Sequence, residues 1–578
     1  MTRVSYLDVK KNLKADMSHM KARKLAVLGD FATQHLCVAL RGVAAKEGIS
    51  LSVYESAYDQ IDLQLFNSAS DLYKFEPDEI FLAMCSDKLY SEYCKYPIGE
   101  KGQFAEKIAE KIFAYWEAGK KNSRAMILQS TFVEFDDRVF GNYGSKTELS
   151  FIFQLRKLNY LLMLKASEEK NVGIIDFQYV ASQLSAEEMH DTKLYCMAKL
   201  PYTLNALPMV AQQVISVIKA RMGWIKKCII LDLDNTLWGG VVGDDGSTGI
   251  KIGELGTGQA FTYFQCWLKQ LKERGILLAV CSKNEEATAK EPFISNPDMV
   301  LHLEDISLFV ANWQNKAQNI IEMQKTLNIG MDTIVFIDDN PFERETVRQL
   351  VPFITVPEMP EDPAEYVNYL ESLNLFETVS FSDEDTHRTD QYRSEINRVQ
   401  AQTLFSTFEE YLISLNMKAT AKPFDTFHIP RIAQLSQRSN QFNLRTVRYS
   451  EEDIARIVNS GEYITRYFAM EDKFGDSGLI SAVIFHKMDK ETLFIDTWFM
   501  SCRVLKRGME EFIINKMVEV AREAGYRKLV GEYIPTAKNA MVSEIYPNMG
   551  FESTERENTY ILTIADFKPL HTNIQDVL

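Results

Sequence analysis

The sequence predicts an α/β protein built from several domains. Short apolar runs alternate with longer helical patterns through the first two thirds of the chain. Short all-apolar strands separated by helices predict parallel sheets that are covered on both faces. The length of 578 residues suits about three or four domains, at roughly 100–200 residues each. We place the domains near residues 1–222, 223–385 and 400–578.

The apolar runs fall into two alternating sets. The first set lies at residues 24–30, 49–54, 79–85, 124–129 and 172–177. The second set begins near residue 225 and continues to about residue 360. The spacing within each set leaves room for one helix between strands, which is typical of βαβ units.

The last third of the chain has a different pattern. Residues 361–400 are more polar and predict helical connecting material. A hairpin-like region at 474–486 precedes a long strand from residue 492 to 505. A helix over 508–525 and a strand over 527–534 follow. The pattern predicts an α+β domain.

Composition and charge exclude several classes of protein. Hydrophobic residues make up 46% and charged residues 25%, as in soluble globular proteins. No run reaches the ~18 apolar residues of a membrane span, and the N-terminus lacks the apolar core of a signal peptide. We therefore expect a cytoplasmic protein without a membrane partner. The net charge of −16 argues against a nucleic-acid partner, and the eight scattered cysteines argue against structural zinc or disulfides.

The stretch CIILDLDNTLWGGVVGDDG, residues 228–246, ends an apolar strand in two carboxylates. Asp232 and Asp234 would lie at the carboxyl edge of a parallel sheet, where open α/β sheets bind ligands. Close carboxylates repel each other, and a bound Mg²⁺ removes the conflict. Thr236 and the following glycines would let backbone N–H groups face a phosphate. Asp244 and Asp245 are predicted to be turn residues.

Three further motifs have the same placement at strand ends. ILLAVCSKN ends in Ser282, and NWQNK supplies Lys316 just before a helix. TIVFIDDNPFERE ends in Asp338 and Asp339, and Asn340 is suited to cap the next helix. Because these strands would be parallel, we expect the four motifs to meet in one pocket.

Together the four motifs resemble the haloacid dehalogenase-like (HAD) phosphotransferase superfamily, which implies a Rossmann-like core. By this resemblance Asp232 is the nucleophile that accepts a phosphoryl group. Asp234 is the general acid/base, and its backbone carbonyl also binds Mg²⁺. By the same resemblance Ser282 and Lys316 hold the phosphate, and Asp338 completes the metal site with Asp339 near it. Thr236 completes the first motif as a candidate catalytic residue.

The longer phrases around these motifs resemble the FkbH family, and the three-part layout is similar to long FkbH-like proteins. That resemblance implies transfer of a glyceryl group from 1,3-bisphosphoglycerate, a small phosphorylated substrate, to an acyl carrier protein. Cys281 is a candidate carrier of a transient thioester, stabilised by Lys283 or Lys316. The alternative is that Cys281 is a buried strand residue, because adjacent strand side chains point to opposite faces.

The C-terminal part resembles the GCN5-related N-acetyltransferase (GNAT) fold. That fold binds the pyrophosphate of coenzyme A at a strand-to-helix turn, for which the candidates are Arg503, Lys506, Arg507 and Gly508. Lys506 stands where the pattern has its first glycine. Tyr546 matches the tyrosine that protonates the leaving thiolate, or else is a packing residue. The ligand implied is coenzyme A or the phosphopantetheine of a carrier protein.

The N-terminal part weakly resembles SGNH-hydrolase-like folds, with a flavodoxin-like alternation of strands and helices. Phe31 occupies the position of the serine nucleophile in LGDFATQHL. Asn142 and the EEMH segment at 187–190 are weak matches to other motif elements. We therefore interpret this domain as non-catalytic, serving carrier docking, oligomerisation or coverage of the active site.

Four functions remain open on the sequence. The first is a phosphatase and glyceryltransferase that loads an acyl carrier protein. The others are an Mg²⁺-dependent phosphatase of a small metabolite, an acyl-CoA-dependent acyltransferase with a catalytic GNAT part, and a non-enzymatic assembly module. The four motifs together argue against the last of these.

Overall fold

The computed structural model describes residues 5–135, 137–381, 383–402 and 405–577. The chain divides into two compact units, Met1–Lys219 and Ala220–Leu578. The predicted separation of 223–385 from 400–578 stays a prediction. None of the helices in the described part of the chain combines the length and the apolar character that a bilayer span requires.

The first unit contains one five-stranded parallel sheet with strand order β2-β1-β3-β4-β5. Its strands are β1 (Lys21–Gly29), β2 (Ile49–Glu55), β3 (Glu79–Ala83), β4 (Met126–Ser130) and β5 (Val172–Ile175). Its helices are α1 (Tyr6–Asn12), α2 (Gln34–Lys46), α3 (Ile61–Phe66), α4 (Asp71–Lys74), α5 (Ser86–Tyr93), α6 (Phe104–Asn122), α7 (Phe151–Glu168), α8 (Phe177–Ser182), α9 (Ala186–Met189), α10 (Thr192–Ala198) and α11 (Leu207–Arg221). The order is that of a flavodoxin-like sheet.

The second unit begins with a four-stranded parallel sheet of order β8-β7-β6-β9. Its strands are β6 (Cys228–Leu231), β7 (Leu277–Ser282), β8 (Ile306–Ala311) and β9 (Ile334–Ile337). The helices of this part are α12 (Val242–Asp245), α13 (Gly256–Glu273), α14 (Glu286–Ser295), α15 (Lys316–Leu327), α16 (Pro341–Leu350), α17 (Tyr366–Ser372), α18 (Asp383–Thr386) and α19 (Arg388–Gln402).

The central strand β6 explains why this sheet is buried on both faces. Ile229 and Leu231 pack in the cluster that includes Phe264 of α13. Cys228 and Ile230 pack in the opposite cluster, with Ile320 of α15. Successive side chains of β6 point to opposite faces, so the strand contributes residues to two separate hydrophobic cores. The polar residues begin where β6 ends, at the carboxyl edge.

The second sheet of this unit has eight strands and is mostly antiparallel, with order β15-β16-β14-β13-β12-β11-β10-β17. Its strands are β10 (Lys418–Lys422), β11 (Tyr463–Asp472), β12 (Gly475–Lys487), β13 (Thr492–Met500), β14 (Lys528–Glu532), β15 (Glu552–Ser553), β16 (Thr559–Thr563) and β17 (Gln575–Asp576). Its helices are α20 (Phe408–Ser414), α21 (Ile429–Arg438), α22 (Glu451–Asn459), α23 (Met509–Glu523) and α24 (Ile545–Asn548). The pairs β13–β14 and β10–β17 are parallel.

The predicted α/β fold class is confirmed, with local differences in the last third. The predicted hairpin at 474–486 is mostly the single strand β12, and the turn lies between Asp472 and Gly475. The predicted long strand from residue 492 ends at Met500, and a 3₁₀ turn follows over Cys502–Val504. The positive φ angles of Lys506 (62°) and Gly508 (81°) belong to this turn into α23. An extended strand cannot continue through that left-handed backbone.

Candidate active site

Three carboxylates meet at the carboxyl edge of the parallel sheet in the second unit. Asp232 follows β6, and Asp338 and Asp339 follow the neighbouring strand β9. One oxygen from each carboxylate lies within 4.8 Å of the other two. Asp232 and Asp338 are buried and Asp339 is half-buried. Their mutual repulsion favours either a bound cation or protonation of a carboxylate.

Lys316 supplies one positive charge to this cluster. Asn315 caps α15, and its side chain accepts a hydrogen bond from Ala317 N at 2.8 Å. This cap sets Lys316 at the first helical position, where its Nζ lies 2.9 Å from Asp232 Oδ1 and 2.6 Å from Asp338 Oδ2. All three side chains are nearly inaccessible to solvent. One ammonium thus bridges two of the carboxylates.

The pKa values in the cluster follow from burial and from these contacts. Burial raises the pKa of Asp232 to about 6, with Lys316 lowering it and Asp338 raising it. Burial also raises the pKa of Asp338 and of Asp339. Burial tends to lower the pKa of Lys316, but the two aspartates outweigh it and leave that pKa above its ordinary value. The lysine therefore stays charged.

The Asp234 side chain accepts hydrogen bonds from three donors. Trp238 Nε1 and Val242 N each donate to Asp234 Oδ1 at 3.0 Å. Asn284 Nδ2 donates to Asp234 Oδ2 at 2.8 Å and also to Ser282 Oγ at 3.3 Å. Asn284 was not predicted from the sequence, although it lies only two residues after Ser282. It ties the end of β7 to the loop after β6.

Thr236 and Arg344 fix the loop that follows β9. Thr236 Oγ1 accepts a hydrogen bond from Asp339 N at 3.1 Å and donates to Asp339 Oδ1 at 3.3 Å. Arg344 Nη1 donates to the carbonyl oxygens of Asp338 and Asp339 at 2.9 and 2.6 Å. Asn340 caps α16 as predicted, accepting from Phe342 N at 2.9 Å. Arg344 was another residue that sequence reasoning missed.

The carboxylate cluster fits a divalent cation. Three carboxylates against one ammonium leave an excess of two negative charges. The nearest donors are oxygen atoms, the ligands that Mg²⁺ prefers. Asp232, Asp338 and Asp339 could hold the ion with their side chains. The Asp234 side chain is engaged elsewhere, so only its backbone carbonyl is available for the predicted metal role.

Cys281 is buried in the core beside this cluster. It is 0% exposed and packs in the cluster between the sheet and α15. Its Sγ lies 3.9 Å from the carbonyl oxygen of Lys316. Burial raises the pKa of the thiol to about 12. The position disagrees with the predicted catalytic role, because strand alternation sends Cys281 and Ser282 to opposite faces.

The predicted coenzyme A turn is occupied by the protein's own groups. The Lys506 N–H donates to Glu510 Oε1 at 3.0 Å. Arg507 is buried, with Nη2 donating to Arg503 O at 2.6 Å and Nη1 lying 3.8 Å from Asp472 Oδ2. Thr572 Oγ1 donates to Gly508 O at 2.9 Å. These contacts disagree with pyrophosphate binding at this turn, because a carboxylate faces it and its arginine points inward.

Tyr546 is a core residue. It is 1% exposed and its ring packs against Phe551 and Tyr560. A Cβ added at Gly531 would meet the Tyr546 ring and hydroxyl at 2.3–2.6 Å, so the tyrosine lies directly on β14. Burial raises the pKa of the phenol well above its ordinary value. This position favours a packing role for Tyr546 over the role of protonating a leaving thiolate.

The serine position of the first unit holds a buried aromatic side chain. Phe31 is buried and its ring packs edge-on against Tyr202, 5.5 Å between centroids. His190 Nε2 lies 2.8 Å from Asp87 Oδ1. Asn142 is exposed. A histidine–aspartate pair is present, but no hydroxyl stands at position 31 to act as a nucleophile.

Comparisons with known proteins agree with this geometry. The sequence profile described as "FkbH, N-terminal domain" matches residues 24–219. The crystal structure of the N-terminal part of the protein BF1531 from Bacteroides fragilis, containing a phosphatase domain complexed with Mg, is 43% identical. The match covers 65% of this chain and 100% of that chain, with a TM-score of 0.63. The chain belongs to the FkbH family. No curated protein gives a significant match.

The FkbH-family chain also has more distant structural neighbours among acetyltransferases. The ribosomal-protein-S18-alanine N-acetyltransferase from Escherichia coli is 16% identical, over 25% of this chain and 90% of that chain, with a TM-score of 0.20. Spermidine N-acetyltransferase from Vibrio cholerae, in complex with CoA and spermine, is 11% identical over 26% and 96%, with a TM-score of 0.21. Similarities at this level assign no activity to the chain.

Proposed function

We propose that this FkbH-family protein is an Mg²⁺-dependent phosphatase in which Asp232 is the nucleophile. The observation that carries the proposal is the cluster of three buried carboxylates and Lys316 at the carboxyl edge of one sheet. A carboxylate attacks phosphorus only where anion–anion repulsion is suppressed. Mg²⁺ bound by Asp232, Asp338 and Asp339 would supply that charge neutralisation, and Lys316 adds to it.

The residues divide two chemical steps between them. An oxygen of Asp232 attacks phosphorus, the bond to the leaving oxygen breaks, and Asp234 gives that oxygen its proton. Asp234 then takes a proton from water, which attacks the same phosphorus and frees Asp232 and inorganic phosphate. Asn284 and Trp238 keep the Asp234 side chain oriented for both transfers. Ser282 adds a candidate phosphate contact, whereas the predicted contact at Thr236 is not available, because its hydroxyl is bonded to Asp339 and its N–H to Leu233 O.

The finer proposal is that the substrate is 1,3-bisphosphoglycerate and that the glyceryl group passes to an acyl carrier protein. The carrier's phosphopantetheine thiol would attack the acyl-phosphate carbon, forming the thioester and releasing one phosphate. The Asp232 site would then remove the remaining phosphate ester. Because Cys281 is buried on the opposite face, we propose direct attack by the carrier thiol without an enzyme thioester.

Exposed aromatic side chains favour a large partner at this edge. Trp313, in the loop after β8, is 77% exposed, and Phe342, in the first turn of α16, is 71% exposed. Trp313 lies between β8 and Lys316, and Phe342 follows Asp338 and Asp339 after β9. Aromatic residues are enriched in protein interfaces. The connection between β6 and β7 contains two helices, the single turn α12 and the longer α13. It therefore holds no large cap domain that could cover the site.

Phosphate release with Mg²⁺ tests the coarser proposal. Asp232→Asn should abolish release, whereas the matched change Asp244→Asn, at an exposed position in α12, should leave it unchanged. If Asp232→Asn retains full activity, the proposal is wrong. Intact-mass measurement of a holo carrier protein with 1,3-bisphosphoglycerate tests the finer proposal. A glyceryl mass gain supports it, and phosphate release without a gain leaves a small-metabolite phosphatase.

A further inference from the structure

A cavity of about 310 Å³ lies within the second unit, at the end of the parallel sheet opposite the carboxylates. Lys227 and Thr333, which line it, immediately precede β6 and β9. Lys227 and Asp232 are five residues apart on either side of β6. At about 3.3 Å per residue, the cavity is roughly 16 Å from the candidate active site. It is therefore a separate site.

The walls come from several distant parts of the chain. One wall is the amino edge of the parallel sheet, and another is the start of α19. The rest is formed by the end of α21 with the loop after it, and by the end of β13 with the segment around Lys538. The volume falls at the lower end of the range for small-molecule sites, ~300–1,000 Å³.

The lining is strongly basic in a protein whose net charge is −16. One acid, Asp332, lines the cavity with six basic residues: Lys227, Arg388, Arg431, Arg438, Arg503 and Lys538. Such a concentration of one sign of charge raises the local concentration of oppositely charged ligands. The cavity is therefore suited to an anion.

Some of the basic residues that line the cavity pair with carboxylates, but in the described part of the chain Lys227 does not. Arg388 and Arg438 both contact the buried Asp385, and Lys538 Nζ lies 2.5 Å from Asp332 Oδ2. Lys227 Nζ is 3.4 Å from the carbonyl oxygen of Arg438. Among the described residues no ion pair within 4.0 Å joins Lys227 to a carboxylate.

The electrostatics at Lys227 agree with an excess of positive charge. Burial is the main cause that lowers the pKa of Lys227 to about 8; Arg388 and Arg438 also lower it, whereas Cys502 and Asp332 raise it. A bound anion would stabilise the charged lysine and raise its pKa again. Binding near pH 8 should then be accompanied by proton uptake.

Two other places near the cavity, both at the eight-stranded sheet, are occupied by the chain's own groups. The turn into α23 faces the Glu510 carboxylate. The free edge at the end of β13, beyond its pairing with β14, is paired by residues 442–444. Leu444 N donates to Trp498 O at 3.2 Å, and Met500 N donates to Phe442 O at 3.0 Å. Neither the turn nor this strand edge therefore offers free backbone donors to a phosphate, whereas the cavity is lined by basic side chains.

We propose that this cavity binds a phosphate ester, with Lys227, Lys538 and the arginines around them as its partners. The shared chemistry is one or more phosphate groups on an organic molecule. Free coenzyme A and a small phosphorylated acid are two sources of that chemistry. The proposal goes beyond the Asp232 phosphatase and does not depend on it.

Calorimetry on the full chain in EDTA and at low salt tests the proposal, with inorganic pyrophosphate as the probe. We expect one equivalent to bind. Lys227→Met should weaken binding by about tenfold or more, as expected for the loss of a charge-assisted hydrogen bond. Lys490→Gln, at an exposed turn, is the matched control and should bind normally. At pH 8 the wild-type heat should depend on the ionisation enthalpy of the buffer, and this dependence should be smaller in Lys227→Met, because only the proton uptake by pyrophosphate itself then remains.

A second lysine variant and three further ligands complete the test. If Lys227→Met does not fold, as judged by circular dichroism, the more exposed Lys538→Gln provides the same comparison. Coenzyme A, 3-phosphoglycerate and phosphate-free pantetheine then separate the sources, and pantetheine should not bind. Absence of pyrophosphate binding, or binding unchanged in both lysine variants, would overturn the proposal. So would loss of binding in Asp232→Asn, because the anion would then occupy the carboxylate site.

Discussion

Replacing Lys316 with methionine keeps much of the side-chain volume but removes the ammonium that bridges Asp232 and Asp338. The two contacts of 2.9 and 2.6 Å are lost. Three carboxylates then lie within 4.8 Å of one another without a protein cation between them. Their pKa values should rise further, and at neutral pH the metal-free protein must either protonate them or tolerate their repulsion.

The expected loss of unfolding free energy is large because Lys316, Asp232 and Asp338 are all buried. Removing one partner of a buried ion pair destabilises a protein by about 3–5 kcal/mol, and Lys316 serves two partners. We expect the free energy of unfolding in EDTA to fall by this amount. Mg²⁺ should recover part of the loss. Activity should fall by about 10²–10³-fold in kcat, the range found when one preorganised electrostatic contact to a transition state is removed.

Urea unfolding with and without Mg²⁺, together with phosphate-release kinetics, measures both effects. Lys283→Met is the matched control. Lys283 is a neighbouring lysine whose Nζ lies 2.5 Å from Glu343 Oε1; its side chain is 41% exposed and it serves one carboxylate, so its loss should cost less than the loss of Lys316. If Lys316→Met is no less stable and no less active than Lys283→Met, the bridging role of Lys316 is refuted.

Three further predictions concern the thiol, the exposed edge and pH. Cys281→Ala should leave phosphate release and acyl loading within about twofold of wild type, because the thiol packs in a core. The control Cys266→Ala should behave in the same way. If mass measurements show that Cys281→Ala loses acyl loading alone, the prediction is contradicted. Trp313→Ala should raise the KM for a carrier protein while leaving small phosphate esters unaffected, and equal effects on both would argue against docking there. In EDTA, stability should fall as pH rises from about 4 to about 6, because the folded state holds the Asp232 proton more tightly than the unfolded state. The same titration of Asp232→Asn should lack this component, and matching curves would refute the assignment.

The sequence predicted the carboxylate site because its residues follow strand ends. Parallel strands bring their carboxyl ends to one edge, so Asp232, Lys316 and Asp338 could be grouped without knowing any contact. The partners of Asp234 were harder to predict. Asn284 donates to it from the next strand's loop, and that contact depends on the path of a loop rather than on strand order.

The C-terminal candidates show what motif matching leaves out. Lys506 and Arg507 occupy the expected turn, but Glu510 and Asp472 hold their groups. Nothing in the spacing of the motif indicates that a carboxylate from the following helix turns back onto it. The basic cavity escaped prediction for a related reason. Its lining residues are scattered from Lys227 to Lys538, and only long-range packing brings them together.

The central claim is that Asp232 becomes phosphorylated with Mg²⁺ present, and rapid acid quenching followed by peptide mass spectrometry tests it most directly. A single-turnover reaction should yield a transient gain of one phosphoryl group on the peptide that contains residues 228–246, located at Asp232. The modification should be absent in EDTA and in Asp232→Asn. Turnover without any phosphorylated peptide, or with the phosphoryl group on another residue, would contradict the account.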